Sequence, residues 1–233
     1  MREPVKGRRP YDSPRRSEQA RATRRAVLDA ARSLFVEKGY VATTIESIAA
    51  QARVSPETVY ATFGSKRAVL SELVDISIAG GEDAAPILEQ RWVQEMRDEP
   101  DARSRVRILA RNGRTILERR CAVDEVVRGA ASADREIAAL WALGKAQRLA
   151  GQRELLRIAV GSEGLRDGLD LDAAADVLYA LGSPETYRLL VVDRGWSGDQ
   201  FERWYGETLT RLLLDPPAGG RGSPHGERRP AGA

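Results

Sequence analysis

Histidine and cysteine are almost missing from this chain: His225 and Cys121 are the only ones among 233 residues. That scarcity removes whole classes of chemistry. Ser–His and Cys–His nucleophilic catalysis need a histidine held beside the nucleophile. His225 instead lies among Gly, Pro and Arg beyond Pro216-Pro217, where no ordered site is expected. A lone cysteine forms neither an intramolecular disulfide nor a cysteine zinc cluster, and histidine-ligated metal sites are excluded with the histidines. Cys121 reads as a packed small side chain, with a reactive thiol or a redox-linked dimer as the alternative. No P-loop, nucleophile elbow or dinucleotide fingerprint occurs. We therefore assign no catalytic residue, expect no cofactor or metal, and read the chain as other than an enzyme. Asp167, Asp170 and Asp172 resemble calcium ligands in spacing, but the sixth position of such a loop is Asp172 rather than Gly. Helix capping by Asp170 or Asp172 is the better reading.

Long apolar runs are also missing. None approaches the ~20 residues of a membrane span, and the arginine-rich start contains no apolar signal segment. A soluble, cytoplasmic protein without a membrane partner is expected. Beyond residue 80 there is no convincing strand run either, and the pattern stays helical.

The richest stretch is TTIESIAAQARVSPETVYATFGSKRAVL, Thr43 to Leu70. Thr43 is suited to N-cap a short helix, with Glu46 three positions on completing a capping box. Ile45, Ile48, Ala49 and Ala52 then fall on one face. Arg53-Val54 breaks the helix. Ser55 caps a second one, and Pro56 follows at its first position, where a missing N–H is harmless. Val59 and Phe63 are its inward anchors, leaving Glu57, Thr58, Tyr60 and Thr62 on other faces. Gly64 ends it, and Ser65 caps a third helix from Lys66. Helices of about seven residues are not stable alone, and the apolar stripe Val27, Ala30, Ala31, Leu34 and Phe35 of a helix from Thr23 to Lys38, ended by Gly39, supplies the neighbour. A capped helix pair is compatible with a plain helical hairpin or with DNA binding. Short polar side chains (Ser55, Thr58, Thr62) beside an exposed Tyr60 suit close approach to a phosphate backbone.

In these residues the segment resembles the DNA-binding domain of TetR-type transcriptional regulators. Leu34-Phe35, Gly39-Tyr40, Thr43-Thr44-Ile45, Ile48-Ala49, Val54-Ser55, Thr58-Val59-Tyr60, Phe63 and Ser65-Lys66 agree with that family's pattern in register, without a gap, over about residues 17–79. The resemblance implies an all-α homodimer: an N-terminal three-helix helix-turn-helix DNA-binding domain (17–79, motif about 44–63) and a C-terminal helical ligand-binding and dimerisation domain (80–214). It further implies a repressor released from a palindromic double-stranded operator by a small-molecule inducer. Carried over residue by residue, Thr44 opens the second helix and meets a phosphate. Ser55, Pro56, Glu57 and Thr58 stand at the groove-facing start of the recognition helix, Tyr60 contacts the DNA backbone and a thymine methyl with its ring, Thr62 follows along the helix, and Lys66 pairs with a phosphate. Two positions depart from the family: Arg53 replaces a turn glycine, at a cost of about 1 kcal/mol if the left-handed conformation is kept, and Thr62 replaces an aromatic residue.

Charge is distributed to match. Residues 1–25 carry nine positive and three negative side chains, a net +6 against a whole-chain +3, so the remainder sums to −3. Arginine pairs at 8–9 and 15–16, punctuated by Pro4, Pro10 and Pro14, predict a disordered basic arm over residues 1–16. Such an arm reaches phosphates or a minor groove, or serves only as a solubilising tail.

Beyond residue 80 the pattern predicts helices over 87–96, 103–128, 133–160, 171–181, 184–193 and 200–214, a loop over 161–168, and a disordered tail over 215–233. The last helices carry Val177, Leu178, Tyr187, Leu189, Trp196, Phe201, Trp204, Tyr205 and Leu209, more apolar surface than a terminal hairpin needs. In the resembled family this region, here about 171–214, forms the homodimer face; an ordinary intrachain core is the other reading. Trp92, Cys121, Trp141 and Tyr179 are candidates to line a cavity for a small apolar or aromatic inducer, with plain packing as the alternative for each. Two further readings stay open: a regulator of the same fold controlled by abundance or a protein partner, and a helical enzyme or interaction module.

Overall fold

The computed structural model describes residues 14–216; most of the basic arm, the tail and His225 lie outside them. Among the described residues every regular element is helical: α1 (Pro14–Ala42), α2 (Ile45–Ala52), α3 (Pro56–Phe63), α4 (Lys66–Ala79), α5 (Arg91–Asp98), α6 (Ala102–Ala131), α7 (Arg135–Val160), α8 (Leu171–Leu181), α9 (Pro184–Tyr187) and α10 (Gly198–Leu213).

α1 begins nine residues before the expected Thr23, so residues 14–16 belong to a helix rather than to the arm. Pro14 is tolerated in a first turn, and Arg15 to Ala22 contains no glycine or β-branched residue to oppose the helix. Arg24 is likewise committed to the fold: it pairs with Glu72 at 2.6 Å and stacks 4.7 Å from the centre of the Phe63 ring. The helical course breaks at Gly39 (φ 80°, ψ 165°), a backbone conformation open to glycine, as expected from the sequence.

Two cores form. Val27, Leu28, Leu34 and Phe35 of α1 pack on Ile45 and Ile48 of α2, Val59 of α3 and Val69, Leu70 and Leu73 of α4. Val123, Val127 and Ala130 of α6 and Ile137 of α7 complete this core, so the N-terminal helices rest on the long central ones. The second core gathers Val106, Leu109 and Leu117 of α6, Leu155 and Leu156 of α7, Leu178 of α8 and Phe201, Tyr205, Leu209 and Leu213 of α10.

Three sequence expectations change. Residues 87–96 are not one helix: a 3₁₀ turn (Ile87–Glu89) precedes α5, with the extended Gln90 (φ −69°, ψ 150°) between them. The Gln90 side chain explains the break, because its amide donates to the carbonyls of Ala79 and Ala85, both at 2.9 Å. Residues 184–193 are one turn of α-helix followed by six residues of π-helix, Arg188–Asp193. Much of the apolar surface after residue 171 is intrachain core, with Tyr187 and Phe201 edge to face at 4.9 Å, while Leu189, Val192 and Leu212 stay exposed. Asp170 caps α8 as expected, accepting from the Ala173 N–H at 2.8 Å. No described helix is long and apolar enough to cross a membrane.

Candidate functional site

The helix pair α2–α3 is held by its caps. Here the sequence reading is off by one: Thr44, not Thr43, is the N-cap of α2, and Ser47, not Glu46, reciprocates. The Ser47 N–H donates to Thr44 Oγ1 and the Thr44 N–H to Ser47 Oγ, each at 3.1 Å. Thr43 is buried instead, its hydroxyl within reach of the Leu34 and Gly39 carbonyls at 3.2 and 2.8 Å. Thr43 thus closes the end of α1, and Thr44, exposed, opens α2.

Arg53 adopts the left-handed conformation that the missing glycine implied (φ 58°, ψ 42°), and it is the only described non-glycine residue with positive φ. Because a glycine carries no Cβ penalty there, Arg53→Gly is expected to raise stability by up to about 1 kcal/mol, or about 2–4 °C in Tm for a chain of this size. A thermal melt showing no gain would mean that the turn carries no strain.

On α3, Ser55 Oγ accepts from the Thr58 N–H at 3.3 Å and lies 3.2 Å from Thr58 Oγ1. Val59 is fully buried, while Glu57 and Tyr60 face solvent, Tyr60 at 49 % exposure. Pro56 is half-buried at the first turn. Hydrogen bonds at the helix start, from its own backbone and then from Ser55, hold the Glu57 carboxyl below the usual range. Thr62 is half-buried and donates to the Thr58 carbonyl at 2.7 Å, so its hydroxyl is occupied along its own helix.

Lys66 has a role that sequence reasoning missed. Its Nζ donates to the carbonyls of Tyr40 (2.8 Å) and Thr43 (2.7 Å) and sits 4.3 Å from the centre of the Tyr40 ring. Burial lowers its pKa. Two of its three protons therefore join α4 to the end of α1. The recipients are backbone carbonyls more than twenty residues away, which no side-chain pattern announces.

Behind this unit lies a cavity of about 360 Å³, walled by α4, α5, α6, α7 and α8. Trp92 and Trp141 line it, as the sequence suggested. Tyr179 does not; it stacks under the Arg148 guanidinium at 3.9 Å. Cys121 faces two other grooves, between α6 and the α9 region. Polar groups enter the main cavity wall at Asp75, Arg120, Asp124, Lys145, Gln147, Arg148 and Gln152. Arg120 and Asp124 form a buried bidentate pair at 2.6 and 3.0 Å. Gly182 permits a close approach at one end, since a Cβ there would lie 2.2 Å from the Tyr205 hydroxyl.

Cys121 is buried, and desolvation, then the nearby Asp124 carboxylate, push its thiol pKa up to about 11. A thiol so raised carries little thiolate near neutral pH. Native protein is expected to react with Ellman's reagent far more slowly than the chain in denaturant; equal rates would contradict this placement.

The family described as bacterial regulatory proteins, tetR family, matches residues 27–73, which span the α2–α3 unit and its support. The HTH-type transcriptional regulator YdeS of Bacillus subtilis is 29% identical over 174 residues, covering 72% of this chain and 79% of that protein. Among solved structures, the SmeT–triclosan complex superposes with a TM-score of 0.64 at 22% identity, covering 91% of this chain and 100% of that one. FadR of Bacillus subtilis in complex with stearoyl-CoA gives 0.63 at 19%, covering 79% and 96%. The capped helix pair, its left-handed turn and its helical support thus coincide with the matched segment: residues 27–73 carry the pattern of bacterial regulatory proteins of the tetR family, in a chain similar over most of its length to an HTH-type transcriptional regulator.

Proposed function

We propose that this regulator is a repressor that binds a palindromic operator as a homodimer and is released when a small molecule occupies the interior cavity. Residues 17–79 act as the DNA-binding unit and residues 80–214 as the regulatory and dimerisation unit. The observation that carries this reading is the double duty of α4. Val69, Leu70 and Leu73 hold it against Val59 of the recognition helix, while Val74, Asp75 and Ile78 form part of the cavity wall. Arg119 of α6 grips its end, donating to the Ser77 and Ile78 carbonyls at 3.2 and 3.1 Å. A molecule in the cavity touches the same helix that positions α3. It shifts operator affinity by its differential affinity for the two placements of that helix. Two proteins of this fold were solved with small molecules, triclosan and stearoyl-CoA, which supports an effector over regulation by abundance alone.

On the DNA side, Thr44, Ser55, Pro56, Glu57, Thr58, Tyr60 and Thr62 form the proposed contact face, and Lys66 adds charge beside it. Glu57, ionised at the start of α3, suits acceptance from a cytosine amino group rather than contact with phosphate. Dimerisation through residues 171–214 places two copies of α3 on two half-sites. The exposed Leu189, Val192 and Leu212 favour such a face.

A mobility-shift titration against the gene's own upstream region tests this. Tyr60→Ala, which leaves the core intact, is expected to weaken specific binding by roughly ten- to a hundredfold, the equivalent of about 1–3 kcal/mol. Unchanged binding would overturn the assignment of α3 as the reading helix.

A further inference from the structure

Two residues of the cavity wall, on consecutive turns of α7, each carry a hydrogen-bonding atom without a partner. Arg148 Nη1 is buried and makes no hydrogen bond; Glu185, its nearest acid, is 3.8 Å away, beyond hydrogen-bonding reach. Gln152 Oε1 is buried and equally unpartnered, although the same side chain donates through Nε2 to the Gly182 carbonyl at 3.2 Å. Both residues line the cavity. One offers a donor and the other an acceptor, and buried atoms of both kinds rarely stay unmet in a native protein.

Four side chains besides this pair bring charge to the wall. Burial raises the Asp75 pKa and so favours its neutral form. Lys145 stands 5.6 Å from the centre of the Trp141 ring, and Arg120 and Asp124 face each other. Arg148 has the Glu185 carboxylate at 3.8 Å and the Tyr179 ring beneath it. An anionic ligand head would face those carboxylates, and a cationic one would face the two guanidinium groups. A neutral group that both accepts and donates meets neither repulsion. Most of the remaining lining, including Trp92, Leu109, Leu117, Leu140 and Leu155, is apolar.

We propose that the effector is an uncharged apolar molecule with one hydroxyl group, such as an alkylphenol, whose oxygen accepts from Arg148 and whose proton goes to Gln152. This rests on the cavity being the effector site. The hydroxyl fixes orientation and the apolar body supplies contact area. A site built around a hydroxyl discriminates against the analogue lacking it, because its own polar groups are then left unpaired.

Calorimetric titration of the full-length protein with 4-hexylphenol, 4-hexylanisole, hexylbenzene and 4-hexylbenzoate tests the proposal. The phenol is expected to bind at least about tenfold tighter than the other three, and Arg148→Met to erase its advantage over hexylbenzene. Gly151→Leu serves as a control. Gly151 lines the cavity with nothing within 4 Å of where a Cβ would stand, so a leucine side chain there takes up cavity space, and it is expected to abolish phenol binding. Equal binding of hexylbenzene, preference for the benzoate, retention of binding in Gly151→Leu, or no binding of any probe would each overturn the proposal. Operator release separates the two readings. A probe that releases operator without hydroxyl preference refutes the hydroxyl site alone, whereas phenol binding through Arg148 that leaves operator affinity unchanged refutes the cavity's regulatory role alone.

Discussion

Arg120→Met is expected to cost about 3–5 kcal/mol, because it leaves the Asp124 carboxylate buried without its cation. Both side chains of this pair are at least nine-tenths buried. Burial already raises the Asp124 pKa, even against the hydrogen bonds and charge of Arg120, which lower it. Without the arginine that rise must grow. The pH dependence has a definite sign. A carboxyl with folded pKa above its unfolded value stabilises the fold below the unfolded pKa, and this is lost as pH rises through the folded pKa. The deficit of Arg120→Met is therefore expected to be small in mild acid and to widen towards neutral pH, as read by denaturant unfolding. Replacing both residues with apolar ones of similar volume should recover most of the loss. A single variant as stable as the parent at neutral pH would mean that the pair is not buried in solution.

Phe35→Ala is the second large effect. Phe35 is 1 % exposed at the centre of the N-terminal core, with the Tyr40 ring 5.6 Å away. Truncation leaves a cavity among α1, α2 and α4, and such losses run to about 3–5 kcal/mol. That is a large part of the ~5–15 kcal/mol that holds a typical domain, and corresponds to a Tm lower by roughly 6–20 °C. Operator binding should fall with the melting curve rather than independently of it. A drop of only a degree or two would contradict the placement of Phe35.

The contrast between these residues shows what the sequence could convey. Phe35 was legible because it lies in a stripe at helical spacing, and the helix ends were legible because Ser55-Pro56, Ser65, Gly39, Gly64 and Asp170 have local roles that survive in any context. The slip from Thr44 to Thr43 has a tertiary cause. Both threonines can cap a helix, and only the packing of Thr43 beneath the end of α1 decides between them. Lys66 and Arg105 were illegible for a related reason. Arg105 is buried, and its guanidinium closes the end of α7 by donating to the Ala159 and Val160 carbonyls at 2.8 and 3.1 Å. Both side chains satisfy backbone carbonyls far along the chain, and backbone atoms leave no mark in residue spacing. Arg120 and Asp124 are four apart on a helix, an ordinary surface arrangement; burial alone gives the pair its energetic weight. The cavity was half legible, since Trp92 and Trp141 stand in its wall. Tyr179 turns to Arg148 instead, and Cys121 sits on another face of α6.

The departures at Arg53 and Thr62 resolve differently. Arg53 keeps the left-handed turn despite the missing glycine. Thr62 directs its hydroxyl back to α3, and Tyr60 is the one large exposed hydrophobic side chain on that helix.

The most direct measurement is selection of binding sites from a pool of random duplexes by the full-length protein. The expected result is one enriched inverted repeat, with half-site centres about 34–36 Å apart or a multiple of that spacing, and loss of that enrichment with Tyr60→Ala. Failure to enrich any sequence, or enrichment of a single unrepeated site that Tyr60→Ala leaves untouched, would contradict it.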